Sequence, residues 1–263
     1  MDERALYKTL AEAPDDEGHC MVFADWLHEQ GDPMAEFLTL QLEHHKKKLE
    51  TLRAQRAQDL LIMNWKRWAG ELSRVLHRRA CVYERGFLRV ATGGVGEQSP
   101  VEAIKDAPQW ATVRELTITG PGEIVGRILE SPWLKNLKSL NCPAEAVTRE
   151  LNPSWSELEV LTLDEFVSVE KLQLTARHVN CVAGTFDGAI SLIGSWLKAS
   201  KRPSIVAVRS PDSNVILRPE LIEVALHSID RSELRVLRQL GEAEIDLSWN
   251  GRAYRGPANS LKW

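Results

Sequence analysis

Between residues 22 and 41 the chain reads VFADWLHEQGDPMAEFLTLQ, which sets Asp25, His28, Glu29, Asp32 and Glu36 close together in sequence. Carboxylates and an imidazole at such density are the residue types of a general acid–base pair or a divalent-metal site. Elsewhere His227, Ser228 and Asp230 hold the residue types of a nucleophilic triad, and GGVG at 93–96 offers glycines of the kind that cradle phosphates. Cys20, Cys81, Cys142 and Cys181 are possible thiolate ligands.

Spacing argues against each of these chemistries. Gly31 suits the left-handed residue past a helix end, Asp32 the next N-cap, and Pro33 the first helical turn. Gly-Asp-Pro therefore reads as the corner between two helices, and it splits the acidic residues across a turn. His227 and Ser228 are adjacent, so on a helix they point in different directions and cannot form a proton-transfer chain. GGVG lacks the dinucleotide-binding spacing and reads as a glycine turn. The cysteines contain no C-x-x-C pair, and Cys20, Cys142 and Cys181, in apolar contexts, read as small core residues in a reducing compartment. No G-x-S-x-G, Walker loop or H-E-x-x-H occurs. The expectation is a protein without catalysis, cofactor, metal or small-molecule substrate.

The elements that position these residues begin as helices. One is expected over 3–13, with Ala5, Leu6, Leu10 and Ala13 near one face. A second runs from about His19 to Gln30, with a Val22, Phe23, Trp26 and Leu27 stripe that buries Trp26. The third is long, its seam formed by Leu38, Leu42, His45, Leu49 and Leu52. After Arg53–Arg56 a new seam follows through Leu61, Trp65, Trp68, Leu72 and Val75, and the whole reach is compatible with a helical hairpin or a kinked rod. The charge is uneven: residues 1–43 hold 11 acids and 2 bases, whereas 44–89 hold 12 bases and 4 acids. The basic block of lysines and arginines could bind nucleic-acid phosphates, with Trp65 and Trp68. It could equally pair with its acidic neighbour within the fold, which needs no partner.

The stretch LAEAPDDEGHCMVFADWLHEQGDPMAEFLTLQ resembles the repeat-companion domain family of certain large-genome bacteria. The resemblance lies in Pro14-Asp15-Asp16, an apolar pair, Ala24-Asp25-Trp26-Leu27, Gly31-Asp32, Glu36-Phe37 and Leu40-Gln41. Arg85-Gly86-Phe87 also resembles what commonly follows there. The resemblance covers about residues 5–42 and implies an N-terminal helical domain ahead of leucine-rich or similar repeats, with no assigned chemistry.

The remainder repeats. PQWATVRELTITG, PWLKNLKSLNCP and PSWSELEVLTLDE each place a Pro and a Trp before an L-x-x-L-x-L-like core. The cores are Val113-Leu116-Ile118, Leu137-Leu140-Cys142 and Leu158-Leu161-Leu163, with Val169-Leu172-Leu174 as a fourth that lacks the Trp. Such units stack as short parallel strands that bury their apolar groups against neighbours, each Trp filling the layer beneath. The usual Asn is absent, its places taken by Pro121, Glu145, Phe166 and Arg177, so the repeats are degenerate. Strands are expected at 179–184, 203–210 and 215–219, helices at 190–199 and 219–229, and a closing hairpin about Asn250-Gly251.

The expected fold is α+β to α/β: a helical domain over 1–80, then an irregular leucine-rich-repeat-like solenoid with a short parallel sheet over 81–263, capped by the hairpin. Alternation along the strands assigns a polar open face to Glu115, Thr117 and Thr119; Ser139 and Asn141; Val160, Thr162 and Asp164; and Lys171, Gln173 and Thr175. Short, mixed polar groups suit a broad protein-recognition face. No apolar run spans a membrane, and the acidic start is neither a signal nor a transit peptide, so a cytoplasmic bacterial scaffold or accessory subunit is expected. The alternative is a nucleic-acid-associated subunit using 44–89.

Overall fold

Helix α1, Glu3–Glu12, buries Leu6, Tyr7, Leu10 and Ala11 and leaves Ala5 exposed. The structure is a computed structural model. It describes residues 3–46, 51–148, 151, 153–155, 158–164, 176–183, 185–198, 205–210, 213–217, 222–226, 236–240, 242–249 and 252–261. These fall into two compact units, 1–138 with 152–156, and 139–151 with 157–263. The expected change from helices to repeats at 80/81 lies inside the first unit.

In the first unit, α2 spans Glu17–Glu29, and the Asp16 side chain accepts from His19 N at 3.0 Å as its N-cap. Its buried residues are Cys20, Phe23, Ala24 and Leu27. The expected stripe is therefore rotated: Val22 is exposed and Trp26 only half-buried. Aromatic packing sets that rotation, because the Phe23 ring meets Tyr7 at 5.4 Å and Phe87 at 5.3 Å. The corner is as expected, with Gly31 at φ 65° and Asp32 accepting from Met34 N at 2.9 Å. Helix α3 then runs over Met34–Lys46 and α4 over Thr51–Ala69.

The expected single seam through Leu52 is not formed. Leu38 and Leu42 are buried, but Leu52 is 83% exposed, and α4 continues unbroken through Arg53–Arg56. It turns Ala57 and Leu60 inward instead, while Trp65, Trp68, Leu72 and Val75 of the expected second seam are buried and Leu61 is half-buried; Phe37 stacks on Trp68 at 5.0 Å. Leu49 lies outside the described residues.

Strands β1 (Val82–Glu84) and β2 (Phe87–Gly94) form an antiparallel hairpin, and β3 (Glu115–Thr119) joins β2 in parallel. The hairpin turns on Arg85 at φ 51° and Gly86 at φ 85°. GGVG is not a free turn, since Gly93 and Gly94 end β2. A Cβ on Gly93 would stand 2.2 Å from Val75 O, so glycine lets the chain at 75–76 cross the strand. Helices α5 (Val101–Lys105) and α6 (Gly122–Leu129) pack together. Trp110 is fully buried and donates to Ile104 O at 2.7 Å; Trp155 is also buried, while Trp133 is half-buried.

The second unit is an eight-stranded, mostly parallel sheet in chain order: β4 (Ser139–Cys142), β5 (Leu158–Leu163), β6 (Ala176–Val182), β7 (Ile205–Ser210), β8 (Ser213–Leu217), β9 (Ile222–Leu226), β10 (Glu244–Trp249) and β11 (Arg252–Pro257). Pairs β4 to β7 and β9–β10 are parallel, whereas β7–β8, β8–β9 and β10–β11 are antiparallel. Helix α7 (Ala144–Thr148) follows β4. Helix α8 (Phe186–Lys198) packs on β7 and β8, with Thr185 Oγ1 accepting from Gly188 N at 3.1 Å at its start.

The three repeat cores are buried as expected in both units. In the second they extend as an in-register apolar row, Leu140, Leu161, Val179, Val206 and Leu217. The helix expected over 219–229 is corrected, since residues 222–226 form β9, paired on both edges. Ile-Glu-Val-Ala-Leu is a short apolar run that periodicity alone cannot assign, and the two neighbouring strands decide it. The fourth core, at 169–174, lies outside the described residues.

Candidate functional site

Alternation along a strand sends every second side chain to the face opposite the core. In the first unit this places Glu115, Thr117 and Thr119 on one side of β3, with Leu116 and Ile118 buried on the other. Glu115 and Thr119 are exposed and Thr117 is half-buried. Thr119 Oγ1 also reaches Gly93 O at 3.4 Å.

In the second unit Ser139, Asn141, Val160 and Thr162 stand on the open side of β4 and β5. Register aligns Asn141 with Thr162 and Thr162 with Asn180, and Asn180 Nδ2 donates to Thr162 Oγ1 at 3.4 Å. A second row aligns Ser139, Val160 and His178. Asp164 is used differently, because its carboxylate accepts from Ala144 N at 2.9 Å and anchors the start of α7. Lys171, Gln173 and Thr175 lie outside the described residues.

Sequence reasoning missed Asn180, His178 and Arg209, which continue this face on β6 and β7. The alternation in ARHVNCV was the available signal, because Val179 and Cys181 are the inward pair. The assembled surface offers amide and hydroxyl donors and acceptors. Beneath it, burial pushes the Cys142 and Cys181 thiols up to about 12, which suits packing.

A second cluster lies in the first unit. Asp15 receives three arginines: Arg89 Nη2 at 3.1 Å, Arg114, and Arg85 at 4.0 Å, the last also donating to Asp15 O at 2.6 Å. Arg89 is only 4% exposed and further donates to Pro14 O and to Thr112 O. Burial lowers its hold on a proton, and Asp15 opposes that. A charged residue at an inward position of FLRVATGG was the sequence signal for this clamp.

His227, Ser228 and Asp230 lie outside the described residues. Among the described residues no group of three His, Cys, Asp or Glu side chains could hold a metal, and no helix is long and apolar enough to cross a membrane. No family model, curated protein or solved structure matches the chain.

Proposed function

We propose that the chain is a non-enzymatic protein-interaction module: a repeat-companion-like helical part followed by degenerate leucine-rich-repeat-like strands that make an irregular solenoid. It serves as a scaffold or accessory subunit of a bacterial cytoplasmic assembly. The observation that carries this reading is the ladder Asn141, Thr162 and Asn180, short polar groups in register above a closed apolar layer. Such a surface gives a partner many modest hydrogen bonds spread over a broad area, as protein recognition uses.

The nucleic-acid alternative draws on the basic block. Arg53, Arg56, Arg67, Arg74, Arg85 and Arg89 are each paired with a carboxylate, from Glu43, Glu36, Asp32, Glu71 and Asp15. These pairings support the internal-neutralisation reading and weaken the phosphate-binding one.

The test is affinity capture with the wild type and with Asn141→Arg/Thr162→Arg, followed by binding measurements on the purified captured protein. The double variant binds at least tenfold more weakly, about 1.4 kcal/mol, with an unchanged melting profile. Equal affinity removes the sheet face as the interface.

A further inference from the structure

Helix α3 lies between α2 and α4, and the three leave a trough of about 620 Å³ above the middle helix. Its walls come from one stripe of each helix. Ala24, Asp25 and His28 line it from α2; Ala35, Thr39 and Leu40 form its floor; Leu52, Arg53 and Arg56 line it from α4. The stripes follow the i, i+4 rule, as in Ala24/His28, Ala35/Thr39 and Leu52/Arg56. Small side chains at 24, 35 and 39 keep the trough open.

Two features point to what would fill it. Leu52 stands on its lip in water at 83% exposure on α4, and Met21, 54% exposed on α2, comes one turn before Ala24 and Asp25, so helical spacing puts it on the same face as they are. The charges are also unequally satisfied. Glu36 holds Arg56 through two hydrogen bonds of 2.7 and 2.6 Å, and Glu43 holds Arg53 at 2.5 Å, so the two arginines that line the trough are paired internally. On the opposite wall Asp25 is exposed, and neither it nor exposed Glu29, one turn further along α2, makes a hydrogen bond or ion pair among the described residues. With Glu36 and Arg56 paired in the lining and Arg53 held by Glu43, the charge left unpaired at the trough among the described residues is the Asp25 carboxylate, with Glu29 one turn on along α2.

We propose that this trough is a docking site for a basic amphipathic helix of a partner protein. The helix lays apolar residues spaced i, i+3 or i+4, and i+7 over Thr39 and Leu40, between Met21 and Leu52. Its Lys or Arg residues face Asp25 and Glu29. A fourth helix in this position completes a bundle and covers the exposed apolar lips. The site is separate from the sheet face and stands without it.

The probe is a synthetic amphipathic peptide of about five helical turns with a leucine seam. One version is flanked by Lys and the other by Glu. Binding is read by fluorescence anisotropy and by backbone amide chemical shifts of the full chain. The Lys version binds at least about tenfold more tightly than the Glu version and shifts amides in α2, α3 and α4. Thr39→Arg, an exposed floor substitution, removes that binding without changing thermal unfolding. Asp25→Lys reverses the preference toward the Glu peptide. Equal binding of both peptides, shifts confined elsewhere, full binding by Thr39→Arg, or no binding by the Lys peptide at millimolar concentration overturns the assignment.

Discussion

The carboxylate of Asp15 lies 3.1 Å from Nη2 of Arg89, a guanidinium buried inside the first unit and 74 positions away in sequence. Arg85 and Arg114 hold the same carboxylate, so the loop between α1 and α2 is fastened to the hairpin turn, to β2 and to the approach to β3. This gives Pro14-Asp15-Asp16 and Arg85-Gly86-Phe87 a shared physical role. One supplies the acceptors, the other the turn and the aromatic plug.

Asp15→Ala leaves Arg89 with only carbonyl acceptors. A loss of about 1–3 kcal/mol is expected, the usual penalty for stripping a partner from a buried charged group. Urea unfolding measures it, and adding Arg89→Met should restore part of the loss. A fully additive double variant would show that the two groups are not coupled.

Phe23 and Trp26 separate burial from motif membership. Phe23→Ala opens a cavity between Tyr7 and Phe87 and should cost about 3–5 kcal/mol. Half-buried Trp26→Ala should cost about 1–2 kcal/mol, since it removes less apolar area from the interior. The ranking of the two denaturation midpoints checks this.

Gly86→Ala meets two obstacles. The residue sits at φ 85°, and a Cβ there would come within 2.4 Å of Leu38 Cγ and 3.0 Å of Leu38 Cα. Left-handed strain and overpacking together should destabilise by about 2–5 kcal/mol. Calorimetry would show a lowered Tm, and an unchanged one would mean that α3 yields without cost.

Acid should weaken the helical region through its N-cap and ion-pair carboxylates. The hydrogen bond from His19 N holds Asp16 below the usual range, and the one from Arg56 does the same for Glu36. A depressed folded pKa contributes stability that is present above the unfolded value, ~4, and is lost as pH falls through the folded one. Asp16→Asn keeps an N-cap at neutral pH but removes the titration. Its stability should therefore fall less steeply below pH ~4 than that of the wild type, as measured by denaturant midpoints against pH.

Nucleic acid offers a last check on the basic block. Arginines already held by carboxylates release few counterions, so a DNA or RNA oligonucleotide should bind weakly and with a shallow salt slope. Nanomolar, steeply salt-dependent binding at physiological ionic strength would restore the alternative function.

What the sequence determined by itself is what local chemistry controls. Gly31 and Asp32 make the helix corner because a left-handed residue and an N-cap are needed there whatever surrounds them. Leu116/Ile118, Leu140/Cys142 and Leu161/Leu163 point inward because a strand alternates and only one face escapes water. Only the tertiary structure decided matters that depend on distant neighbours. Val22 and Leu52 share patterns with the core yet stay outside, because Phe23 and Leu60 hold the inward positions that packing allows. Residues 222–226 become a strand because β8 and β10 supply hydrogen-bonding edges on both sides. Asp164 turns from the open face to anchor Ala144, and Asp15 gathers three arginines from across the first unit. A periodicity names the residues that could be buried or could bind. Which of them do is settled by partners brought close through folding, and their separation along the chain leaves no local trace.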